Sequence, residues 1–294
     1  MKIAVAGVPG AWSTETLADS LERRTDFRFV FSLEDLVWDS RKQSLFAKGQ
    51  DLGSMDGIAV KKAGKSYSPL LHDRLDLLGT LEAKGVRVFS RAPHISRLLN
   101  RLSCTTGLIG AGIPMPPTVA TEDVERAIDH VEEWSEAVFK PLYSTKARGM
   151  EVIPFTDRKA VSEKLAALKE EFGMLYLQQR LEMPEEDYGL VFLGGTYLGA
   201  YARIKGEGAW NTTTVAGGKY GRADVSEEAI NVATRAQAVF DMDMTTVDVV
   251  EMPWGPMVFE VSAFGGFKGM KEGCGIDLAE MYAGYMVDTL LESK

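Results

Sequence analysis

Asp248-Val249-Val250-Glu251-Met252-Pro253-Trp254-Gly255-Pro256-Met257-Val258-Phe259-Glu260-Val261-Ser262 alternates on either side of a Pro/Gly turn, with the period of two half-buried strands joined as a hairpin. If the hairpin is symmetric about Trp254, Asp248 and Glu260, each six residues from that centre, lie opposite one another on one face. Directly opposed residues have Cβ atoms roughly 4.5–5.5 Å apart. At about 5 Å and an effective dielectric near 20, two carboxylates repel by about 3 kcal/mol. Either the acids turn to water, as on an ordinary solvated hairpin, or a cation sits between them. A divalent metal is the economical cation, because Mg²⁺ is typically held by one or two carboxylates together with substrate phosphates.

Upstream, Val138-Phe139-Lys140-Pro141 reads as a strand ending in a lysine. It runs into the polar stretch Leu142-Tyr143-Ser144-Thr145-Lys146-Ala147-Arg148-Gly149, and a return strand begins at Glu151. Loop N–H groups can cradle phosphate oxygens while Lys140 adds a charge at the loop's base. Taken alone, a strand-end lysine is more often a snorkelling surface residue.

The remaining periodicity frames these two features. Lys2 to Val8, Phe27 to Phe31, Gly57 to Val60 and Val86 to Phe89 read as strands, with helical patterns after Ser13 and over Leu70 to Leu81. That is an α/β opening lobe with a largely parallel sheet, placed at residues 1–92. The loop Gly7-Val8-Pro9-Gly10 lacks the glycine fingerprint of a dinucleotide site. A second lobe, 93–181, is α+β: a helix over Ile95 to Ala111 stopped by Gly112 and three prolines, a helix over Glu122 to Glu133, strands at 137–140 and 151–153, a helix over 159–171 and a strand at 175–178. The third, 182–294, has strands at 189–193 and 197–204, a helix over 227–240, the acidic hairpin and a closing helix over 277–291.

Composition narrows the chemistry. The 294 residues are 45% hydrophobic and 26% charged, with a formal charge of -9. An acidic chain lacks the clustered Lys/Arg of a nucleic-acid surface. No apolar run is long enough for a membrane span. Cys104 and Cys274 are far apart and nothing resembles a leader, so the expected setting is the reducing cytoplasm. His72, His94 and His130 share no ligand spacing and read as surface or capping residues. Catalysis must therefore lean on carboxylates, Lys and Arg.

The strand-end Lys140, the polar loop, the strand Leu177-Gln178-Gln179-Arg180-Leu181 and the Asp248/Glu260 hairpin stand in an order that resembles the ATP-grasp superfamily. Val247 to Val250, Gly255 to Ala263, Gly269, Gly275-Ile276-Asp277 and Ala279 are similar to the motifs of the RimK type of carboxylate–amine ligase, as are Gly194 to Gly218 and Ile113-Pro114-Met115-Pro116-Pro117-Thr118. The resemblance covers roughly residues 80 to 290. It implies an ATP-grasp fold, in which an N-terminal α/β domain precedes two α+β subdomains that sandwich ATP. It further implies that Lys140, Arg101 and the loop residues Ser144, Thr145 and Lys146 meet ATP phosphates, and that Gln178, Gln179, Arg180 and Leu181 meet adenine. By the same resemblance Asp187 is expected near the ribose or purine edge, Asp248, Glu260 and Ser262 are expected to hold Mg²⁺ (or Mn²⁺), and Arg203 to meet the transferred phosphoryl or the acyl phosphate.

Several positions depart from the family pattern. Ser262 replaces the usual asparagine, a shorter ligand. Arg101 stands for a lysine, keeping charge but changing geometry. Ser144, Ala147 and Arg148 stiffen a loop that is commonly glycine-rich, Gly189 stands where an arginine is common, and Gly265 and Lys268 replace a proline and a glutamate. These mark a specialised subgroup, with the one associated with the GAK gene system as a candidate. The implied reaction is ATP-dependent ligation of a carboxylate to an amine through an acyl phosphate. The substrates expected with it are an amino acid and an acidic peptide or carrier protein, and the expected assembly is a homo-oligomer. An ATP-binding regulator without ligase activity and a phosphotransferase stay open as alternatives. Lys61, Lys62, Arg74 and Arg91 are expected at the substrate mouth if not simply solvated.

Overall fold

The computed structural model describes residues 1–145, 147–209, 211–213 and 217–293. The chain opens with β1 (Ile3–Ala6), α1 (Trp12–Thr25), β2 (Val30–Phe31), β3 (Leu36–Asp39), β4 (Ser44–Ala47), β5 (Gln50–Asp51), β6 (Gly57–Val60), α2 (Leu70–Glu82) and β7 (Arg87–Phe89). Strands β2, β1, β6 and β7 lie side by side in that order, all parallel. Every residue of β1 and β6 is buried, which is why both read as unbroken apolar runs rather than alternations. The expected parallel sheet is present, but its strand over Phe27 to Phe31 is cut to two residues. A small antiparallel sheet, β3–β4–β5, escaped the sequence reading because strands this short carry too few residues to establish a period.

Next come α3 (Ala92–Leu99), α4 (Arg101–Gly110), β8 (Thr118–Thr121), α5 (Val124–Trp134), β9 (Glu136–Phe139), β10 (Glu151–Pro154), α6 (Arg158–Phe172) and β11 (Leu175–Gln179). The sheet β10-β9-β11-β8 is antiparallel. Helices α5 and α6 cover it, and Ile128, Val131, Leu165, Phe139 and Leu177 form a core that includes no residue of the first or last sheet. The single helix expected over Ile95 to Ala111 is in fact two. Asn100 is extended (φ -97, ψ 117) and its Oδ1 accepts from the N–H groups of Leu102 and Ser103 at 2.9 and 3.3 Å. An asparagine side chain competes for backbone donors in this way and starts a new helix, while the apolar spacing runs on across the break and conceals it. Ile95, Leu99, Cys104 and Leu108 of these helices pack into the large core shared with the last sheet.

The chain closes with β12 (Glu186–Leu193), β13 (Thr196–Ile204), β14 (Lys219–Arg222), α7 (Glu227–Ala238), β15 (Met244–Met252), β16 (Gly255–Ser262), the turn α8 (Phe267–Gly269), a π-helical turn at Met270–Cys274 and α9 (Leu278–Glu292). The sheet β14-β13-β12-β15-β16 is antiparallel throughout. Helix α7 buries Ala229, Ala233 and Ala236 in the core with Val247, Val249 and Val258 of the hairpin. Helix α9 crosses back to the first lobe, where Tyr282, Ala283 and Met286 join Val5, Leu17 and Leu21 in one core. The first and last sheets are thus welded together, and the middle sheet stands on its own core.

Candidate functional site

The hairpin β15–β16 turns at Pro253 and Trp254, with Met252 opposite Gly255 and Val249 opposite Val258. Continued without interruption, that register would set Asp248 against Phe259 and send Glu260 to the other face, because strand side chains alternate. A register shift next to Asp248 gives β16 one extra residue, and Asp248 pairs with Glu260 and Thr246 with Ser262. The expected opposition of the two acids is present, but a bulge produces it, not symmetry about Trp254. Phe259 and Glu260, though consecutive, both line the same cavity.

That cavity encloses about 580 Å³ between the middle and last sheets. Asp248, Glu260 and Ser262 reach it from the hairpin, and Asp187 and Arg203 from β12 and β13. Across from them stand Lys140 at the end of β9, Gln178 and Gln179 of β11, Arg180 and Leu181 just beyond it, and Thr145 of the polar loop. Arg101 and Ser144 adjoin the cavity, in a small recess shared with Leu142, Phe259 and Glu260. Lys146 lies outside the described residues. The sequence reading missed Phe259, which looks like a core-facing strand residue until the bulge turns it. It also missed Tyr67, a first-lobe loop residue without periodic signal that lines both spaces.

Charge is arranged tightly. Arg203 forks between two acids, its Nε donating to Asp187 at 2.7 Å and a terminal nitrogen to Asp248 Oδ2 at 3.0 Å. Asp187 lies directly opposite Arg203, whereas the bond to Asp248 runs diagonally past Gly189, which sits between Tyr201 and Asp248 in the sheet. A Cβ on Gly189 would fall 2.3 Å from the Tyr201 ring, so the absence of a side chain is a packing requirement. Asp187 also accepts from the Thr212 hydroxyl at 2.8 Å. Burial pushes the Asp248 carboxyl up to about 7; Arg203 pulls it down, and Glu260 and Asp187 add to the rise. Burial also works against the Arg203 cation, yet Asp248 and Asp187 outweigh it and raise its pKa well above the ordinary value. Glu260 Oε2 meets Arg101 at 3.3 Å.

Lys140 is 8% exposed. Its ammonium donates to Gln178 Oε1 and stands 5.4 Å from the centre of the Phe259 ring. Burial, then the nearby Arg101, lowers it to about 7, with Glu260 partly opposing. An anion in the cavity would favour its charged form.

The first-lobe cations depart from expectation. Lys62 lines the cavity, but Lys61 is neither solvated nor at the mouth. It is 1% exposed, donating to the Phe264 carbonyl at 2.6 Å with its ammonium 4.0 Å from the centre of the Phe267 ring, and burial followed by Lys62 lowers it to about 7. Arg74 pairs with Glu34 and Arg91 with Glu82. His72 and His94 also hold tertiary contacts, to Ser96 and Tyr143 and to the Asp241 carbonyl, so neither is a plain surface residue.

Among the described residues, no three His, Cys, Asp or Glu side chains group closely enough to enclose a metal ion. Two opposed carboxylates with a hydroxyl beside them make an open donor set. Such a set fits a hard cation that keeps its waters and shares a ligand's phosphate oxygens. The Ser144 hydroxyl, buried and without a hydrogen-bond partner among the described residues, adds a polar group to the recess that Glu260 also lines.

A profile of the RimK-like ATP-grasp domain matches residues 99–286. The tetrahydromethanopterin:alpha-L-glutamate ligase of Methanosarcina acetivorans is 29% identical over 314 aligned positions, covering 96% of this chain and 97% of that protein. Beta-citrylglutamate synthase B of Danio rerio is 24% identical, covering 92% of this chain and 67% of that protein. Among solved structures, the ATP-grasp ligase PsnB complexed with a phosphomimetic variant of its minimal precursor, Mg and ADP superimposes with a TM-score of 0.75 over 98% of each chain at 17% identity, a likeness of fold. The chain belongs to the RimK-like ATP-grasp family. It is an ATP-dependent ligase of the type that forms C–N bonds between carboxylates and amines. No helix among the described residues is long and apolar enough to cross a membrane.

Proposed function

We propose that the cavity seats Mg-ATP between the β9/β11 wall and the β15–β16 hairpin, and that the chain joins an amino acid to an acidic peptide or carrier there. The observation that carries this is the meeting of Asp248 and Glu260, opposed by the bulge, with Lys140 across one cavity. In this reading the Gln178–Leu181 stretch receives adenine, and Lys140 with Thr145 meets phosphates. Asp248, Glu260 and Ser262 hold Mg²⁺ or Mn²⁺. Bound there, the cation would neutralise charge developing on the transferred phosphoryl group.

The remaining steps belong to this chain's own residues. The substrate carboxylate attacks the γ-phosphorus and the bond to ADP breaks. The amine nitrogen then attacks the activated carbonyl, the C–N bond forms, phosphate leaves and the amine's proton passes to solvent. Arg203 stabilises the oxyanion of that second step. Its bonds to Asp187 and Asp248 hold it in place, and they favour a positioning role for Asp187 over a contact to the ribose. Lys62 and Lys65 in the wall support an anionic substrate.

A hydroxylamine trap tests the reading, with ATP, Mg²⁺ and a panel of amino acids and acidic peptides. Hydroxamate formed together with ADP is expected. A stable phosphorylated product, or no product at all despite binding of Mg-ADP, would overturn it.

A further inference from the structure

We propose that Tyr143 is a positioning residue, holding Lys140 and its neighbours against the nucleotide's phosphates through a peg shared with Asn100 and His72. The inference rests on the nucleotide seat proposed above and adds to it a junction that none of the site residues explains.

The geometry is a residue-by-residue anchorage. Lys140 N–H donates to the Tyr176 carbonyl at 3.0 Å. The Pro141 carbonyl accepts from Arg101 Nε at 3.3 Å, and the Leu142 carbonyl from Arg101 N–H at 3.0 Å. At Tyr143 the side chain takes over: its hydroxyl accepts from Asn100 Nδ2 at 3.0 Å and meets His72 Nε2 at 3.1 Å. The His72 and Tyr143 rings stand edge to face with centroids 5.7 Å apart, and the other His72 nitrogen is bonded to Ser96. Beyond Tyr143 the backbone enters a turn in which Ala147 and Gly149 have φ of 56 and 69.

The placement has a mechanical meaning. Lys140 directly follows β9 and is bonded to β11, in the sheet with its own core, whereas Glu260 lies in β16, in the sheet welded to the first lobe. Their relative position is set by whatever joins the two bodies near the site. The break at Asn100 supplies two such ties at once: Arg101 links Pro141 and Leu142 to Glu260, and Asn100 links Tyr143 to the start of α4. His72, from α2, adds a tie to a second element. A half-buried network satisfied at every member rigidifies what it joins.

The test uses the full chain and two ligands that share a base and differ in phosphates, Mg-ADP and adenosine, titrated by calorimetry. Net hydrogen bonds of this kind are worth factors of about 2 to 10 each in an equilibrium constant. Tyr143→Phe is therefore expected to weaken Mg-ADP about tenfold while leaving adenosine within about twofold. His72→Ala, on a separate element, is expected to show the same selective loss at about threefold, with His72→Gln restoring part of it. Unchanged Mg-ADP affinity in a folded Tyr143→Phe, or equal losses for both ligands, would overturn the peg. If Tyr143→Phe fails to fold, the His72 pair decides in the same way. Failure of the wild-type chain to bind Mg-ADP would instead remove the nucleotide seat, and the peg's role with it.

Discussion

Asp248 is poised so that its charge state depends on its company. Burial, with Glu260 opposite and Asp187 nearby, pushes its carboxyl up to about 7, while Arg203 pulls the other way, and a bound cation would favour the ionised form further. Removing the acid function by Asp248→Asn or Glu260→Gln is expected to cut ADP release in a ligation assay by more than about a hundredfold in chains that still fold by circular dichroism, with Asp248→Asn lowering the melting temperature because it leaves the buried Arg203 with Asp187 alone. Wild-type turnover by the double variant would refute the metal assignment. Lys61 makes a different prediction. Its ammonium is depressed from 10.5 to about 7 by burial, so between those values the unfolded chain binds the extra proton and stability rises with pH. Lys61→Met is expected to flatten that rise by a few kcal/mol, on the order of the depression converted at about 1.4 kcal/mol per unit. Urea unfolding at pH 7 and 9.5 checks this, and parallel profiles for the two proteins would contradict it. The contrast between these residues shows what a sequence can carry. Asp248, Glu260 and Lys140 announce themselves by residue type at strand positions. Lys61 reads as solvated because its burial is made by Phe264 and Phe267, two hundred positions away along the chain.

At the scale of elements, the bulge in β16 is the device that makes a hairpin into a binding surface. Deleting Phe259 is expected to remove the bulge and restore plain alternation while leaving the strands paired and Glu260 still opposite Asp248, because Glu260 then takes the slot that the unbroken register sets against Asp248. Mg-ADP binding should then persist, weakened by loss of the ring beside the Lys140 ammonium, while circular dichroism stays near wild type, and complete loss of binding would show that the bulge itself shapes the seat. Alternating apolar residues announced this hairpin and the long strands β12 and β13, because period two persists over many residues. The pattern is blind to one inserted residue, and it was right about Asp248 and Glu260 only because turn and bulge offset one another. The α3–α4 break escaped for a related reason: one Asn100 redirects the backbone without interrupting the apolar spacing. The meander β3–β5 is too short to have a period.

At the scale of the molecule, the middle sheet's separate core predicts that it can be weakened alone. Leu165→Ala, at a fully buried position, is expected to cost about 2–5 kcal/mol and to speed amide hydrogen exchange in β8–β11 while β1, β6 and β15 keep their protection. Uniform acceleration across all sheets would show one cooperative unit instead. The succession of an α/β segment and two α+β segments was legible because each helix and strand is specified locally. Which segments share a core was not, because the partners of α1 lie in α9, at the far end of the chain. That contact also sets a timetable. Thr25 closes α1 and Leu278 opens α9, so at roughly 5–20 residues per second the first helix leaves the ribosome some tens of seconds before its cover is made. Until then Leu17 and Leu21 have only first-lobe partners such as Ile3 and Val5, and the side of α1 that α9 covers stays open to water. Ribosome-stalled chains ending before Leu278 should therefore recruit holdase chaperones, and chains released with α9 complete should shed them.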